Sequence, residues 1–446
     1  MTPRVRAVVL NFNGGDHVIR CIDALTRTEW PAECLDLVVV DNASVDGSCE
    51  EIERRFSQVT VIRNATNTGF PANNLAMRDL DGVDYVALIN NDAFVEPGWL
   101  APLVDALETD DGLGAACPRI LFAPRFVDIT LETPTFRAPG DGRDLGVRLS
   151  GVEVGGKDVS DVAQLRDGFY GFENGGPAEP RYAWSSGRAV VRVPIDPEQS
   201  GTFDIRFRLT GETVKPVVLS TADDAVSSTV SPTPHWVRLT AASTGFDVIN
   251  NVGSELVKLG FGADRGFLQR DEGQYDEPAE VFAWCGGGVL LRRGYLEQVG
   301  LFDERFFLYY EDTDLAWRGR AQGWRYQYVP GSVIRHLHAA SSGEGSTLFQ
   351  HYVERNRLLM LLKNAPASLV ALALYRYLRM VASFSVRAIL PAVRHRRRPA
   401  LGLPYRRVRS LAGACRLAPA MLTERRTLRR RQVVTDKQLL AWMVER

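Results

Sequence analysis

The sequence predicts an α/β fold, and three observations carry that expectation. Short apolar runs alternate with helix-length segments over the first 120 residues. Turn chemistry punctuates the changes, as at Asp46-Gly47-Ser48 and Pro97-Gly98. The same alternation resumes near Gly253 after a stretch of different texture. Alternation of this kind predicts a mostly parallel sheet with helices on both faces.

The strand-like runs are Arg6–Leu10, Leu37–Val40, Val59–Ile62, Tyr85–Ile89 and Leu113–Ala116. Between them, helices are expected over about 16–26, 45–56, 71–79 and 97–108, with Pro97 suited to a first helical turn. From about 140 to 245 short β-type runs such as Ala189–Val193, Phe203–Leu209 and Trp236–Leu239 are separated by Gly, Pro, Asp and Ser. That spacing predicts an antiparallel β-sandwich inserted within the first domain. The expected division is 1–139, 140–245, 246–365 and a helical tail over 366–446.

At 446 residues the chain exceeds one typical domain, and 45% hydrophobic with 24% charged residues is ordinary for a globular protein. Six scattered cysteines without a CxxC pair suit a reducing compartment and argue against structural zinc. The N-terminus enters a strand pattern by Val5, so no signal peptide is expected. The net charge of −1 conceals an asymmetry. Residues 366–446 hold 18 Lys and Arg against 3 Asp and Glu, leaving 35 basic and 51 acidic residues elsewhere. A basic tail on an acidic body implies an anionic partner surface. Ser368–Ile389 is apolar, with Arg376, Arg379 and Arg387 inside an arc of about 80°. Its uncharged stretches are shorter than the roughly 20 residues of a membrane span, so the sequence favours a helix lying in a membrane interface. Without aromatic–basic interleaving, nucleic acid is not an expected partner.

Chemistry-bearing residues cluster where such a sheet binds ligands, at strand carboxyl ends. Asp41 ends the second run, where a carboxylate can accept an imide N–H of uracil or thymine; helix capping by Asn42 or Ser44 is the plainer alternative. The amide-rich stretch 64–74, with Asn67, Gly69 and Asn73, suits a nucleotide or simply a capped loop. Asn90-Asn91-Asp92 is a D-x-D-like triplet with its first acid replaced, and one carboxylate can hold Mg²⁺ or Mn²⁺ when a diphosphate adds oxygens. Glu311-Asp312 follows the aromatic run 306–310 and opens a potential helix, where a desolvated carboxylate can act as a base. His336 and His338 follow another extended run. Trp284 precedes Cys285-Gly286-Gly287-Gly288 and offers a flat ring for a sugar, or a core residue.

Taken together, these segments resemble family 2 glycosyltransferases of GT-A fold, with the bacterial rhamnosyltransferase and galactofuranosyltransferase group the nearest likeness. The pieces are Val-Leu-Asn-Phe-Asn-Gly (9–14), Val-Asp-Asn-Ala-Ser (40–44), Asn-Thr-Gly-Phe (67–70), Leu-Ile-Asn-Asn-Asp (88–92), the Gly-rich 285–288, Phe302–Phe307, Glu311-Asp312-x-Asp314 and His336. They cover about 1–125 and 250–365. The resemblance implies a nucleotide-sugar donor bound by Asn11, Asp41, Asn42, Asn67, Gly69, Asn73, Asn90 and Asn91, with Asp41 reading the base. It implies Mn²⁺ or Mg²⁺ on Asp92 and His336, Asp312 as catalytic base with Glu311 beside it, and an acceptor near Trp284, Gly286 and Gly287. The acceptor would be a glycan or lipid-linked, presented at the inner face of the cell membrane, and inversion at the anomeric carbon would follow. The inserted segment would grip acceptor glycan or make a subunit contact in a homo-oligomer. The rival expectation is a sugar-binding scaffold of the same fold whose activity has decayed; retention of Asp92, Asp312 and His336 argues against it.

Overall fold

The computed structural model describes residues 1–174, 181–196, 201–337, 346–394, 398 and 401–445. It divides into two compact units, one formed by 1–122 with 249–446 and the other by 123–248.

The first unit begins with β1 (Val5–Asn11), α1 (Gly15–Thr26), β2 (Leu35–Asp41), α2 (Ser48–Arg55), β3 (Thr60–Arg63), the short turn α3 (Asn74–Met77), β4 (Tyr85–Asn90), β5 (Ala93–Val95), α4 (Leu100–Thr109) and β6 (Leu113–Phe122). Strands β3, β2, β1 and β4 pair in parallel. Along these strands alternate residues enter opposite cores, as the two-residue period of a pleated strand requires. Val8, Val38, Val40, Val86 and Leu88 join one core. Val5, Ala7, Val9, Leu37, Val39, Ala87 and Ile89 join the other, beneath α1 and α4. Covered on both faces, the strands read as continuous apolar runs.

The second unit comprises β7 (Arg125–Glu132), β8 (Arg148–Val154), β9 (Lys157–Asp158), β10 (Gln164–Leu165), β11 (Ala183–Trp184), β12 (Arg188–Ile195), β13 (Gly201–Thr210), β14 (Lys215–Ser220), β15 (Ala225–Val230) and β16 (His235–Ser243). One sheet has the order β10-β12-β7-β14-β15, the other β11-β8-β13-β16 with β9 on β8. All the pairings are antiparallel, and Ile129, Leu131 and Val191 from one sheet share a core with Phe203, Ile205, Phe207 and Leu239 from the other. The unit begins at Ala123 rather than at 140, because β7 already belongs to it.

The chain then returns to the first unit through β17 (Ile249–Asn251), β18 (Ser254–Val257), β19 (Phe261–Asp264), β20 (Ala279–Glu280), β21 (Gly288–Arg292), α5 (Arg293–Val299), α6 (Glu311–Ala321), β22 (Arg325–His336), α7 (Thr347–Asn364), α8 (Ala367–Arg394), α9 (Gly402–Arg431), α10 (Asp436–Leu440) and β23 (Met443–Val444). Here the sheet departs from the mostly parallel expectation. β21 inserts antiparallel between β4 and β6, β22 runs parallel to β6, and β5, β17 and β20 add antiparallel edges. The sheet is therefore mixed. A contact distant in sequence accompanies this: Gly287 O accepts the Asn90 N–H at the end of β4, so the chain enters β21 from the edge where β4 leaves.

The tail is no detachable appendage. Arg425 of α9 donates to the carbonyls of Leu362 and Ala365 at the end of α7, Glu424 pairs with Arg305 and Lys363, and β23 pairs with β18.

Candidate active site

Strand register builds the centre of the site. β22 pairs antiparallel with β5, with His336 opposite Ala93, which sets Asp92 beside the imidazole. His336 Nε2 lies 3.0 Å from Asp92 Oδ1 and 3.3 Å from Asn90 Nδ2, and its Nδ1 lies 3.0 Å from Asn250 Oδ1. Both Asp92 and His336 are buried. Burial alone would raise the Asp92 carboxyl, yet the hydrogen bond and charge of His336, aided by His17, hold it below the usual aspartate range. Asn250 was not anticipated from the sequence. It follows the second unit directly, and no spacing marks it.

The donor set fits a divalent cation. One carboxylate and one imidazole are suitable ligands for Mn²⁺ or Mg²⁺, with remaining positions left to substrate oxygens. Among the described residues no group of three or more His, Cys, Asp and Glu side chains could enclose an ion. The described residues alone therefore supply an incomplete shell. His338 lies outside the described residues.

The Gly-rich turn joins this pair to the acidic helix. A Cβ at Gly287 would stand 3.5 Å from Asn90 Nδ2 and 3.8 Å from His336 Cε1, while the Gly286 N–H donates to Asp312 Oδ2 at 3.3 Å. Asp312 is partly exposed in the first turn of α6, and its Oδ1 accepts the Thr313 N–H and hydroxyl. Burial pushes its carboxyl above the usual range against these lowering hydrogen bonds. Glu311 is 5% exposed, and its Oε2 has no hydrogen-bond partner among the described residues. Burial first, then the Asp312 charge, drives its pKa well up. Glu311 is thus an enclosed acid, and Asp312 is the carboxylate that can meet a hydroxyl. Asp314 turns inward to Arg318, Lys363 and Asn364.

The amide residues divide. Asn11, at the end of β1, donates to Ser48 and Ser44 and accepts from the Gly14 N–H, so it knits β1 to α2. Asp41 is buried at the end of β2 and accepts the Ser44 N–H. Asn91 reaches toward Gly14, where a Cβ would come within 2.8 Å of its Nδ2. Asn42, Asn67, Gly69 and Asn73, expected as donor contacts, serve the loop itself. Asn42 donates to Asn67 Oδ1 and Gly69 O and accepts from Asn64 and Thr68. Asn67 also accepts the Gly69 N–H, and Asn73 donates to Phe70 O. Gly69 is required at its position, since a Cβ there would meet Phe307 O at 1.9 Å. The acceptor role expected of Trp284 does not fit its place. The ring is fully buried, edge-on to Phe302, so no sugar can stack on it.

Residues 7–144 match the family described as Glycosyl transferase family 2. The likeness to family 2 glycosyltransferases therefore lies in this segment. A 69-residue stretch is 46% identical to the N-acetylglucosaminyl-diphospho-decaprenol L-rhamnosyltransferase of Mycobacterium tuberculosis, covering 15% of this chain and 22% of that one. A poly(ribitol-phosphate) beta-glucosyltransferase of Bacillus spizizenii is 25% identical over 97 residues, 21% of this chain and 15% of that one. The glycosyltransferase AglE of Haloferax volcanii is 26% identical over 103 residues, 22% and 33% of the two chains. The alignments thus span between about a seventh and a third of these relatives. Among solved structures, GalNAc-T7 with UDP, GalNAc and Mn²⁺ superposes with a TM-score of 0.45 at 13% identity, over 81% of this chain and 48% of that one. The mannosyltransferase PcManGT of Pyrobaculum calidifontis, with GDP-Man and Mn²⁺, gives 0.42 at 14% identity, over 97% and 86%. Within the matched segment, Asn11, Asp41, Asn90, Asn91 and Asp92 all fall at or just beyond the carboxyl ends of β1, β2 and β4.

Proposed function

We propose that the chain is an inverting, metal-dependent glycosyltransferase of GT-A type. It would move a sugar from a nucleotide-diphosphate donor, dTDP-rhamnose-like or a UDP-sugar, to a glycan or lipid-linked acceptor in cell-surface polysaccharide synthesis. One observation carries this reading: the Asp92–His336 pair and Asp312 meet the same turn, Gly286-Gly287. Asp312 takes the proton of the acceptor hydroxyl as its oxygen attacks the anomeric carbon opposite the diphosphate. The glycosidic bond forms, the bond to the diphosphate breaks, and the anomeric centre inverts through a transition state of oxocarbenium character. A carboxylate of raised basicity suits that transfer. Asp92 and His336 would hold Mn²⁺ or Mg²⁺, which neutralises charge on the leaving diphosphate. Asp41 would accept the imide N–H of the base.

The name of the mycobacterial relative makes an L-rhamnosyl donor and a polyprenyl-diphosphate acceptor the first pair to test. A lipid-linked acceptor also suits α8, whose exposed apolar residues would rest on the inner face of the membrane. The β-rich unit, 123–248, would hold acceptor glycan or a second subunit. The test is a panel of nucleotide-sugars assayed for hydrolysis and saturation-transfer binding with Mn²⁺, Mg²⁺ or chelator. Cation-dependent turnover of at least one donor is expected. Binding without turnover of any would favour the decayed scaffold, and no binding would overturn both.

A further inference from the structure

The backbone just before Asp312 is held in a conformation its residues do not favour. Phe307, Tyr309 and Tyr310 have φ of 66°, 68° and 70°, a left-handed region costly for side chains with a Cβ. Three aromatic residues within four positions adopt it, and Tyr310 is the residue from which α6 starts. Such a segment persists only when its surroundings over-determine it.

The surroundings are two adjacent residues in the middle of α7. Asn356 is 0% exposed, and its Nδ2 lies 2.8 Å from each of the carbonyl oxygens of Phe306, Leu308 and Tyr309, so that its two N–H groups are shared among the three. Arg355 donates to Arg305 O at 2.9 Å and Phe306 O at 2.8 Å, while its Nε bonds Asn356 Oδ1 at 2.8 Å and fixes which way the amide faces. Every carbonyl from Arg305 to Tyr309 except that of Phe307 is thereby taken by α7. The remaining one, Phe307 O, accepts the Phe70 N–H at 2.7 Å beside Gly69. The same five residues thus join the loop after β3 to the start of α6. The contacts are all to backbone, so they set geometry rather than chemistry.

We propose that Asn356, oriented by Arg355, is the positioning residue for Asp312: it locks the left-handed segment that aims the carboxylate at the Gly286-Gly287 turn. The assignment rests on the glycosyltransferase reading for what Asp312 does, but not for what Asn356 holds. Two variants test it, Asn356→Asp, which keeps the shape and loses the donors, and Arg355→Gln, which removes the guanidinium that fixes the amide in case the first does not fold. Hydrogen exchange across 303–316 is measured with the kinetics of the donor reaction.

Faster exchange confined to that segment is expected. With it, kcat should fall on the order of 10²-fold, the scale of a small misplacement of a catalytic group, while donor KM changes less than about threefold. The acid limb of the pH–kcat profile should move, since the surroundings of Asp312 change. Adding Tyr309→Gly, which makes the left-handed conformation available without a Cβ, should restore part of kcat. Unchanged exchange in 303–316, or a loss of kcat with neither a pH-profile shift nor glycine rescue, would overturn the proposal. If exchange responds as expected but wild type turns over no donor, the glycosyltransferase reading fails and the lock stands.

Discussion

Asp312 is partly exposed and its neighbour Glu311 is enclosed, and the difference separates their chemistry. Asp312→Asn is expected to leave donor binding intact and lower kcat by about 10²–10⁴, the usual worth of a general base; calorimetry and initial rates separate the two. Because the Asp312 carboxyl is held above the ordinary aspartate range, kcat should decline as pH falls through that raised value rather than through the ordinary one. Glu311 gives a stability test of opposite kind. Its folded pKa lies well above 4.5, so the folded protein retains a proton that the unfolded chain releases. Stability is therefore lost as pH rises above 4.5. Glu311→Gln should melt higher than wild type near pH 8, and the gap should close as pH approaches 4. A constant gap across that range would mean Glu311 titrates normally. Asp92→Ala and His336→Ala should each weaken Mn²⁺-dependent binding of a nucleoside diphosphate, while binding without metal stays near its wild-type value. These residues were legible because acids and a histidine at strand ends leave a trace in sequence. Asn250 and Asn356 were not, because their partners are an imidazole ring and main-chain carbonyls far away along the chain.

At the scale of elements, α6 and α7 are joined by a buried ion cluster. Lys363, 2% exposed, lies 2.7 Å from Asp303, 3.0 Å from Asp314 and 3.1 Å from Glu424, and Arg318 closes on Asp314 at 2.9 Å. Removing one member of such a cluster strands the others. Lys363→Met is expected to cost about 3–5 kcal/mol in urea unfolding, the usual penalty for an uncompensated buried charge. Asp303 is held low by Arg305 and Lys363 despite its burial. Its contribution is present above the unfolded aspartate pKa and fades as pH falls toward the depressed folded value. The Asp314 of the Glu-Asp-x-Asp run thus has a structural use that motif reading could not separate from a chemical one. Strand order was equally hard to read. Alternating apolar runs show where strands lie, and both faces of β1, β2 and β4 are buried as such runs require. The direction of β21 depends on where the turn before it crosses β4, which no local pattern encodes.

For the whole molecule, the question raised by a basic tail is what it rests on. Among the described residues α8 is the one helix long and apolar enough to cross a membrane. One side is committed to protein, however. Leu369, Ala373 and Tyr377 are buried, and the Tyr377 hydroxyl lies 2.7 Å from Glu354 Oε2 and 2.9 Å from Arg407 O, with one hydrogen to give to them. A helix packed along one side does not meet lipid all round. The other side is exposed: Leu372, Tyr375, Leu378, Val386, Ile389, Leu390 and Val393 fall within an arc of about 120°, with Arg379 inside it and Arg376 and Arg387 along one edge. That is the geometry of a helix lying in a headgroup layer, where arginines reach outward along their stems. Truncation after Asn364 would be a poor test, because it also removes α9, which caps α7 and pairs with Lys363. Surface substitution avoids that. Leu378→Glu, Val386→Glu and Leu390→Glu together should abolish sedimentation with vesicles containing anionic lipid, since each apolar side chain contributes about 1.5–3 kcal/mol when fully buried. Donor turnover should survive, since these side chains face away from the protein. Wild-type binding should weaken in high salt, which screens the arginines, without vanishing, because apolar burial remains. A triple variant that sediments like wild type would remove α8 from the membrane reading.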